Sequence, residues 1–185
     1  MSKQILEDYR TKYNINTVID LLSMKGSQVI DLNHSNAHHI NNSNIDVHVE
    51  ENKICDMRTL TLFDGKYLIP DSLSNFFKQE IEILKSIPNL KRAIYVFVAP
   101  NSVVPKHADD DDEYFRIVYG VLTPSKNFQD VGLVIENDEI YLGNKDVIGV
   151  RSDVVHWGWN NTDSFWAVLT LCVEDKKLDE LRKVY

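Results

Sequence analysis

The stretch Arg92-Ala93-Ile94-Tyr95-Val96-Phe97-Val98-Ala99 decides the fold. It is rich in β-branched and aromatic residues, and it follows a helical pattern that stops at Pro88. The period of the chain therefore changes here from that of helices to that of strands. Toward the C-terminus, runs of the same character lie at 114–122, 131–136, 139–142, 146–150, 153–159 and 165–173. Glu136-Asn137-Asp138 between two of them reads as a tight hairpin. Toward the N-terminus, Arg58-Thr59-Leu60-Thr61-Leu62-Phe63 before Asp64-Gly65 predicts one more strand. Roughly seven or eight strands at meander spacing are expected of a β-sandwich or barrel.

The region before this core reads as helical. Ile5, Leu6, Tyr9 and Tyr13 recur at helical spacing, and a second short helix opens at Asn16 and stops at Gly26. Residues 33–44 have the composition of a loop. The strongest helix spans 71–87: Asp71 or Ser72 caps it, Leu73, Phe76, Phe77, Ile81, Leu84 and Ile87 form its apolar stripe, and Pro88 ends it. A last helix from Lys176 to Tyr185 covers one edge of the strands. With no repeat and no linker, the expectation is one domain over 1–185: a helical N-terminal region with early strands (1–90), a β core (91–174) and a C-terminal helix (175–185).

Composition removes several function classes. The 185 residues are 43% hydrophobic, 10% aromatic and 26% charged, which is globular. A formal charge of −8 argues against a nucleic-acid partner, because a phosphate backbone requires a basic face. No apolar run reaches the ~18–20 residues of a membrane span. The first residues carry Glu7 and Asp8 where a signal peptide carries an apolar core. Cys55 and Cys172 are too few for a disulfide framework, so a reducing, cytoplasmic setting is expected.

The chemistry concentrates in Val104-Pro105-Lys106-His107-Ala108-Asp109-Asp110-Asp111-Asp112-Glu113-Tyr114-Phe115-Arg116. His107 and Asp109, one residue apart, can point to one side of an extended segment. Forty-nine residues later His156 lies in another strand-like run. Two imidazoles and one carboxylate on neighbouring strands can occupy one face of a metal octahedron, leaving three positions for a 2-oxo acid and dioxygen. The blander reading is a packed His beside a solvated acidic loop.

From about residue 57 to residue 174 the chain resembles the aspartyl/asparaginyl β-hydroxylase family of iron(II)/2-oxoglutarate dioxygenases. The resemblance rests on Thr59-Leu60-Thr61-Leu62-Phe63-Asp64-Gly65, on Val96-Phe97-Val98-Ala99-Pro100 ahead of Pro105 and His107, on Arg116, on Leu122-Thr123-Pro124, and on His156 with Asn160. It implies an α+β, mainly β fold: a double-stranded β-helix (jelly-roll, cupin-like) core with N-terminal and flanking helices. It implies His107 and His156 as catalytic iron ligands and Arg116 as a 2-oxoglutarate-binding residue, whose fork suits a carboxylate. Several family members lack a carboxylate ligand in the proximal motif, whereas this chain departs from them by offering Asp109, which completes the catalytic iron triad. Asp109 speaks against a halogenase, which leaves that position vacant. Family members usually carry Arg ten residues past the distal His, for the far carboxylate of 2-oxoglutarate; here Trp166 stands there. Arg116 is then the best partner, with Thr170 and Tyr119 as hydrogen-bonding helpers.

Other residues have two readings each. Trp157, Trp159 and Trp166 shape a substrate pocket or belong to the core. His34, His38, His39 and His48 form a second metal site or sit solvated in a loop. Asp110, Asp111 and Asp112 receive a cationic substrate group or form a solvated lip. Arg151 enters the cleft or caps a turn, and Cys172 reads as buried packing. The expected function is an iron(II)/2-oxoglutarate-dependent hydroxylase acting on a small molecule such as a free or carrier-bound amino acid. The alternatives are a cupin-like metalloprotein without 2-oxoglutarate and a non-catalytic β-helix binding module.

Overall fold

The computed structural model describes residues 1–18, 20–21, 41–42, 56–65, 75–109 and 114–185. Its elements are α1 (Ser2–Lys12), β1 (Asn41–Asn42), β2 (Met57–Asp64), α2 (Lys78–Ser86), β3 (Leu90–Val98), β4 (Ser102–His107), β5 (Phe115–Leu122), β6 (Val131–Ile135), β7 (Asp138–Ile140), β8 (Val147–Arg151), β9 (His156–Asn160), β10 (Trp166–Val173), α3 (Lys176–Asp179) and β11 (Lys183–Val184). The strands form two antiparallel sheets, ordered β1-β2-β3-β10-β5-β8-β11 and β4-β9-β6-β7. From β3 to β10 the chain crosses repeatedly between them, and among the described residues of that span only the β6–β7 hairpin keeps two successive strands in one sheet. This is a double-stranded β-helix, so strands adjacent in sequence mostly pair with others.

Side-chain alternation gives the large sheet two different faces. Odd-numbered positions of β3 and β5 and their register partners on β10 face outward: Tyr95, Phe97, Ile117, Tyr119, Leu169 and Leu171 are buried in the main core. Leu6 and Tyr9 from α1, and Phe77 and Leu84 at α2, cover that face. Each such large apolar side chain contributes about 1.5–3 kcal/mol relative to exposure. The opposite face, with Ile94, Val118, Val168 and Thr170, looks toward the small sheet and leaves a cavity between the layers. The sheets thus use one face for stability and the other for a site.

Several sequence expectations are corrected. The helix expected over 71–87 is helical only over Lys78–Ser86, with residues 75–77 in a turn, while 71–74 lie outside the described residues. Glu80 sits buried within it, and the Tyr95 hydroxyl is held protonated by burial first and by Glu80 second. Asn41 and Asn42, expected in a loop, pair with Thr59 and Arg58. The segment 102–107 is a strand of its own, and as an edge strand it tolerates Pro105, which has no N–H to donate. Residues 15–18 and 20–21 are helical; the Gly26 stop lies outside the described residues.

The last expectation fails for a clear reason. Asp175 caps a single short helix, its side chain accepting from the Lys177 and Leu178 N–H groups. The chain then leaves helical conformation, and Lys183 and Val184 pair with Val150 and Gly149 on the edge of β8. Lys183 Nζ lies 2.8 Å from Glu136 and 2.7 Å from Asp138, while Arg182 also pairs with Glu136. An open sheet edge flanked by two acids offers backbone and charge partners that a continued helix would forgo. Hydrogen bonds from Arg182 and Lys183 push the Glu136 carboxyl from 4.5 down to about 2. A depressed carboxyl contributes stability above its unfolded value and loses it as pH falls toward the folded one. Thermal unfolding scanned from pH 5 to about pH 2 should therefore show a steeper loss in the wild type than in Glu136→Gln. The difference amounts to a few degrees at most, because the pair is solvent-facing.

Candidate metal centre

Strand register brings the two histidines together. β4 and β9 run antiparallel, so the last residue of one meets the first of the other, and His107 pairs with His156. A register shift between Val104 and His107 re-aims the end of β4. The two rings lie 4.4 Å apart between centroids at 50°. His107 Nδ1 is 2.7 Å from the Pro105 carbonyl, and His156 Nδ1 is 3.0 Å from the Val154 carbonyl. A carbonyl only accepts, so each Nδ1 carries the proton and each Nε2 presents a lone pair. Burial, and then the neighbouring His107, pull the His156 imidazolium below its ordinary pKa, which favours the neutral form that a metal needs.

Asp109 completes the group from the segment after β4. Its N–H donates to the Ser152 carbonyl at 3.0 Å, and the Tyr114 N–H donates to Ser152 Oγ at 3.1 Å. Buried Ser152 thus ties both sides of the acidic run; nothing in its local sequence marks this role. Asp109 Oδ1 is 3.8 Å from His107 Nε2, and Oδ2 is 3.6 Å from His156 Nε2. One donor atom from each residue lies within 4.8 Å of the others, and among the described residues this is the one such cluster able to hold a metal ion. Asp110, Asp111, Asp112, His34, His38, His39 and His48 lie outside the described residues.

The group opens into the inter-sheet cavity of about 280 Å³. Arg116 and Thr170 line it, and Arg116 Nη1 forms an ion pair with Asp109 Oδ2. This ion pair lies inside the site, with the Arg116 side chain only 17% exposed. Tyr119 does not reach the cavity. Three residues beyond Arg116 on the same strand, it points to the opposite face and is buried among the core residues. Its assignment as a co-substrate helper is corrected on that ground.

Of the three tryptophans, Trp166 lines the cavity, packed with Val98 and Val131. Trp159 donates Nε1 to the Phe128 and Gln129 carbonyls, and Trp157 lies under Lys106 Nζ at 4.8 Å. Arg151 pairs with Asp153 at 3.0 Å and donates to the Asp179 carbonyl at 3.3 Å, which is the capping alternative. Cys172 is buried and lines the cavity, its thiol pushed up by burial. Arg92, which the sequence reading passed over, lines it too. Only the register Arg92–Cys172–Arg116 across β3, β10 and β5 reveals it. A larger open groove, of about 870 Å³, lies between α1 and α3, away from this cluster.

Comparison with known proteins accords with this arrangement. Among solved structures, a prolyl-4-hydroxylase from Pseudomonas putida aligns at 13% identity over 85% of this chain and 88% of that chain, with a TM-score of 0.54. The DMSP lyase DddQ from Ruegeria pomeroyi DSS-3 aligns at 15% identity over 75% and 56%, with a TM-score of 0.45. The cupin domain of Schizosaccharomyces pombe Cnp3 aligns at 8% identity over 67% and 69%, with a TM-score of 0.43. At such identities the first likeness speaks to fold alone. A search of curated proteins finds no match. Among the described residues no helix is long and apolar enough to cross a membrane. The family model described as aspartyl/asparaginyl beta-hydroxylase matches residues 25–176, a span that includes both histidines, Asp109 and the whole inter-sheet cavity, and the chain belongs to that family.

Proposed function

We propose that the chain is an iron(II)- and 2-oxoglutarate-dependent oxygenase that hydroxylates a carbon of a small molecule, such as a free or carrier-bound amino acid. One observation carries the reading: two imidazole Nε2 atoms with fixed tautomers face one carboxylate at 3.6 and 3.8 Å. Two neutral nitrogens and one anionic oxygen suit a divalent cation and fill only half of an octahedral sphere. The rest of the site fits as well. Arg116 Nε and Trp166 Nε1 are buried with no hydrogen-bond partner among the described residues, so the cavity has donors awaiting an acceptor.

His107, Asp109 and His156 would hold the iron, which with a 2-oxo acid and dioxygen supplies the oxidising chemistry. The remaining work belongs to the protein. Arg116 gives Nη1 to Asp109 and keeps Nε for a co-substrate carboxylate. Its contact with Asp109 also fixes the direction in which that carboxylate faces the two imidazoles. Thr170, one alternation step from Cys172 on the same face of β10, offers a hydroxyl along the co-substrate's path. The apolar walls, with Val118, Ile148 and Val168, exclude water from the reacting centre. The single-domain organisation and cytoplasmic setting belong to this proposal.

Anaerobic titration tests it. Iron(II) followed by 2-oxoglutarate should give a visible charge-transfer band, and Arg116→Gln should weaken the second step by about 10- to 100-fold with iron(II) still bound. Iron binding without a band would favour the cupin-like reading. A folded protein that binds no iron would favour the non-catalytic module.

A further inference from the structure

The cavity is polar at one end and apolar at the other. At the level of the histidines, Arg92, Cys172 and Arg116 form one row across β3, β10 and β5, with Cys172 paired to both arginines. All three line the cavity. At the far end of β10, Trp166 is 4% exposed and packs with Val98 and Val131, while Val104 and Leu133 close the floor. Among the described residues lining the cavity, every cationic side chain lies at the histidine end. A carboxylate directed toward Trp166 would be desolvated with at most an indole N–H to receive it, which strongly disfavours that pose.

We propose that Arg92 receives the second carboxylate of the co-substrate, so that this site selects a 2-oxo dicarboxylate at its mouth rather than at its Trp166 end. The inference rests on the oxygenase reading above and deepens it. Arg116 beside Asp109 takes the carboxylate nearest the metal ligands. Arg92 stands two strands away, roughly 10 Å between Cα atoms at ordinary strand spacing, and two long guanidinium side chains on one face can bracket a five-carbon dicarboxylate. Asp64 accepts from Arg92 Nε at 3.0 Å, which orients the guanidinium at the rim of the cavity. A fork with five N–H donors can hold that contact and a ligand carboxylate together. The thiol of Cys172, between the two arginines, adds little volume and no charge to the gap.

The experiment is anaerobic calorimetry on the iron(II)-loaded full chain. Two ligands are compared, 2-oxoglutarate and the monocarboxylate 2-oxobutyrate, in the wild type, Arg92→Gln, Arg92→Lys and Asp64→Asn. Arg92→Gln should weaken 2-oxoglutarate by about 10- to 100-fold while changing 2-oxobutyrate and iron(II) by less than about twofold. Arg92→Lys, which keeps the charge and loses the fork, should fall between. Asp64→Asn should leave 2-oxoglutarate binding unchanged or tighter, whereas a purely structural β2–β3 tie would make it behave like Arg92→Gln. Unchanged 2-oxoglutarate affinity in Arg92→Gln, or equal weakening of both acids, overturns the assignment and leaves the oxygenase reading standing. If the iron-loaded wild type takes neither acid, that reading falls and the assignment falls with it. Should Arg92→Gln not fold, the lysine and Asp64 variants decide by the same criteria.

Discussion

Asp109→Ala is expected to remove iron(II) binding while the protein stays folded. Asp109 brings the only negative charge to a group whose other members are two neutral imidazoles, and Arg116 stands against it. Without the carboxylate, the guanidinium remains beside the site and opposes any cation there. The loss should exceed the roughly 10- to 100-fold that follows removal of a mere outer partner of a metal ligand. Iron-dependent succinate formation should vanish with it. Stability should fall by about 1–2 kcal/mol: the Arg116–Asp109 pair is partly screened, Asp109 being 31% exposed. Asp109→Asn preserves shape and removes charge, so it separates the two contributions. An alanine variant that binds iron(II) as the wild type does would dismantle the metal centre proposed here.

Asn160→Ala should produce the largest loss of stability. Asn160 is fully buried, and its Nδ2 donates to the carbonyls of Val98 (3.1 Å), Ala99 (3.0 Å) and Ser164 (2.8 Å). Its Oδ1 accepts from the Thr162 N–H at 3.2 Å and from Thr162 Oγ1 at 2.7 Å. One side chain thus joins the end of β3 to β9 and to the turn leading into β10. Alanine would take this donor from the carbonyls of buried Val98 and Ala99, at about 1–3 kcal/mol apiece, and would also end the contacts to Ser164 and Thr162, for a total of about 3–5 kcal/mol. The thermal midpoint should drop by roughly 6–20 °C. Asn160 does not line the cavity, so iron(II) affinity measured below the transition should stay within about twofold of the wild type. A stable Asn160→Ala protein would show that these carbonyls find other partners. The Asn four residues past the distal His, one of the features carrying the family resemblance, thus has a structural task in this chain.

Much of the molecule was legible in the residues. β-Branched and aromatic runs located β3, β5, β6, β8 and β10 to within one or two positions, because such side chains suit a pleated, half-buried surface. The hairpin at Glu136-Asn137 was legible too, and Ile135 indeed pairs with Asp138. Tyr119 was misplaced although its parity was available: an odd separation from Arg116 along one strand sends it to the other face. The final helix was misplaced because its composition carries no signal of the bare edge of β8 that Lys183 and Val184 pair with. Arg92 and Ser152 were missed for a related reason, since each owes its place to a partner far along the chain.

The amino-acid order alone determined that this chain changes from helical to strand period near Pro88, and that it carries a His-x-Asp pair with a distant His. Both are local properties, set by side-chain shape and by spacing within a few residues. Only the tertiary structure decided that His107 and His156 meet, that Arg116 leans on Asp109, and that the cations gather at one end of the cavity while Trp166 closes the other. Those relations depend on strand register and on which face each sheet turns inward. Register is a cooperative outcome of burying the whole apolar set at once, and a one-residue slip would reverse every side chain in the site.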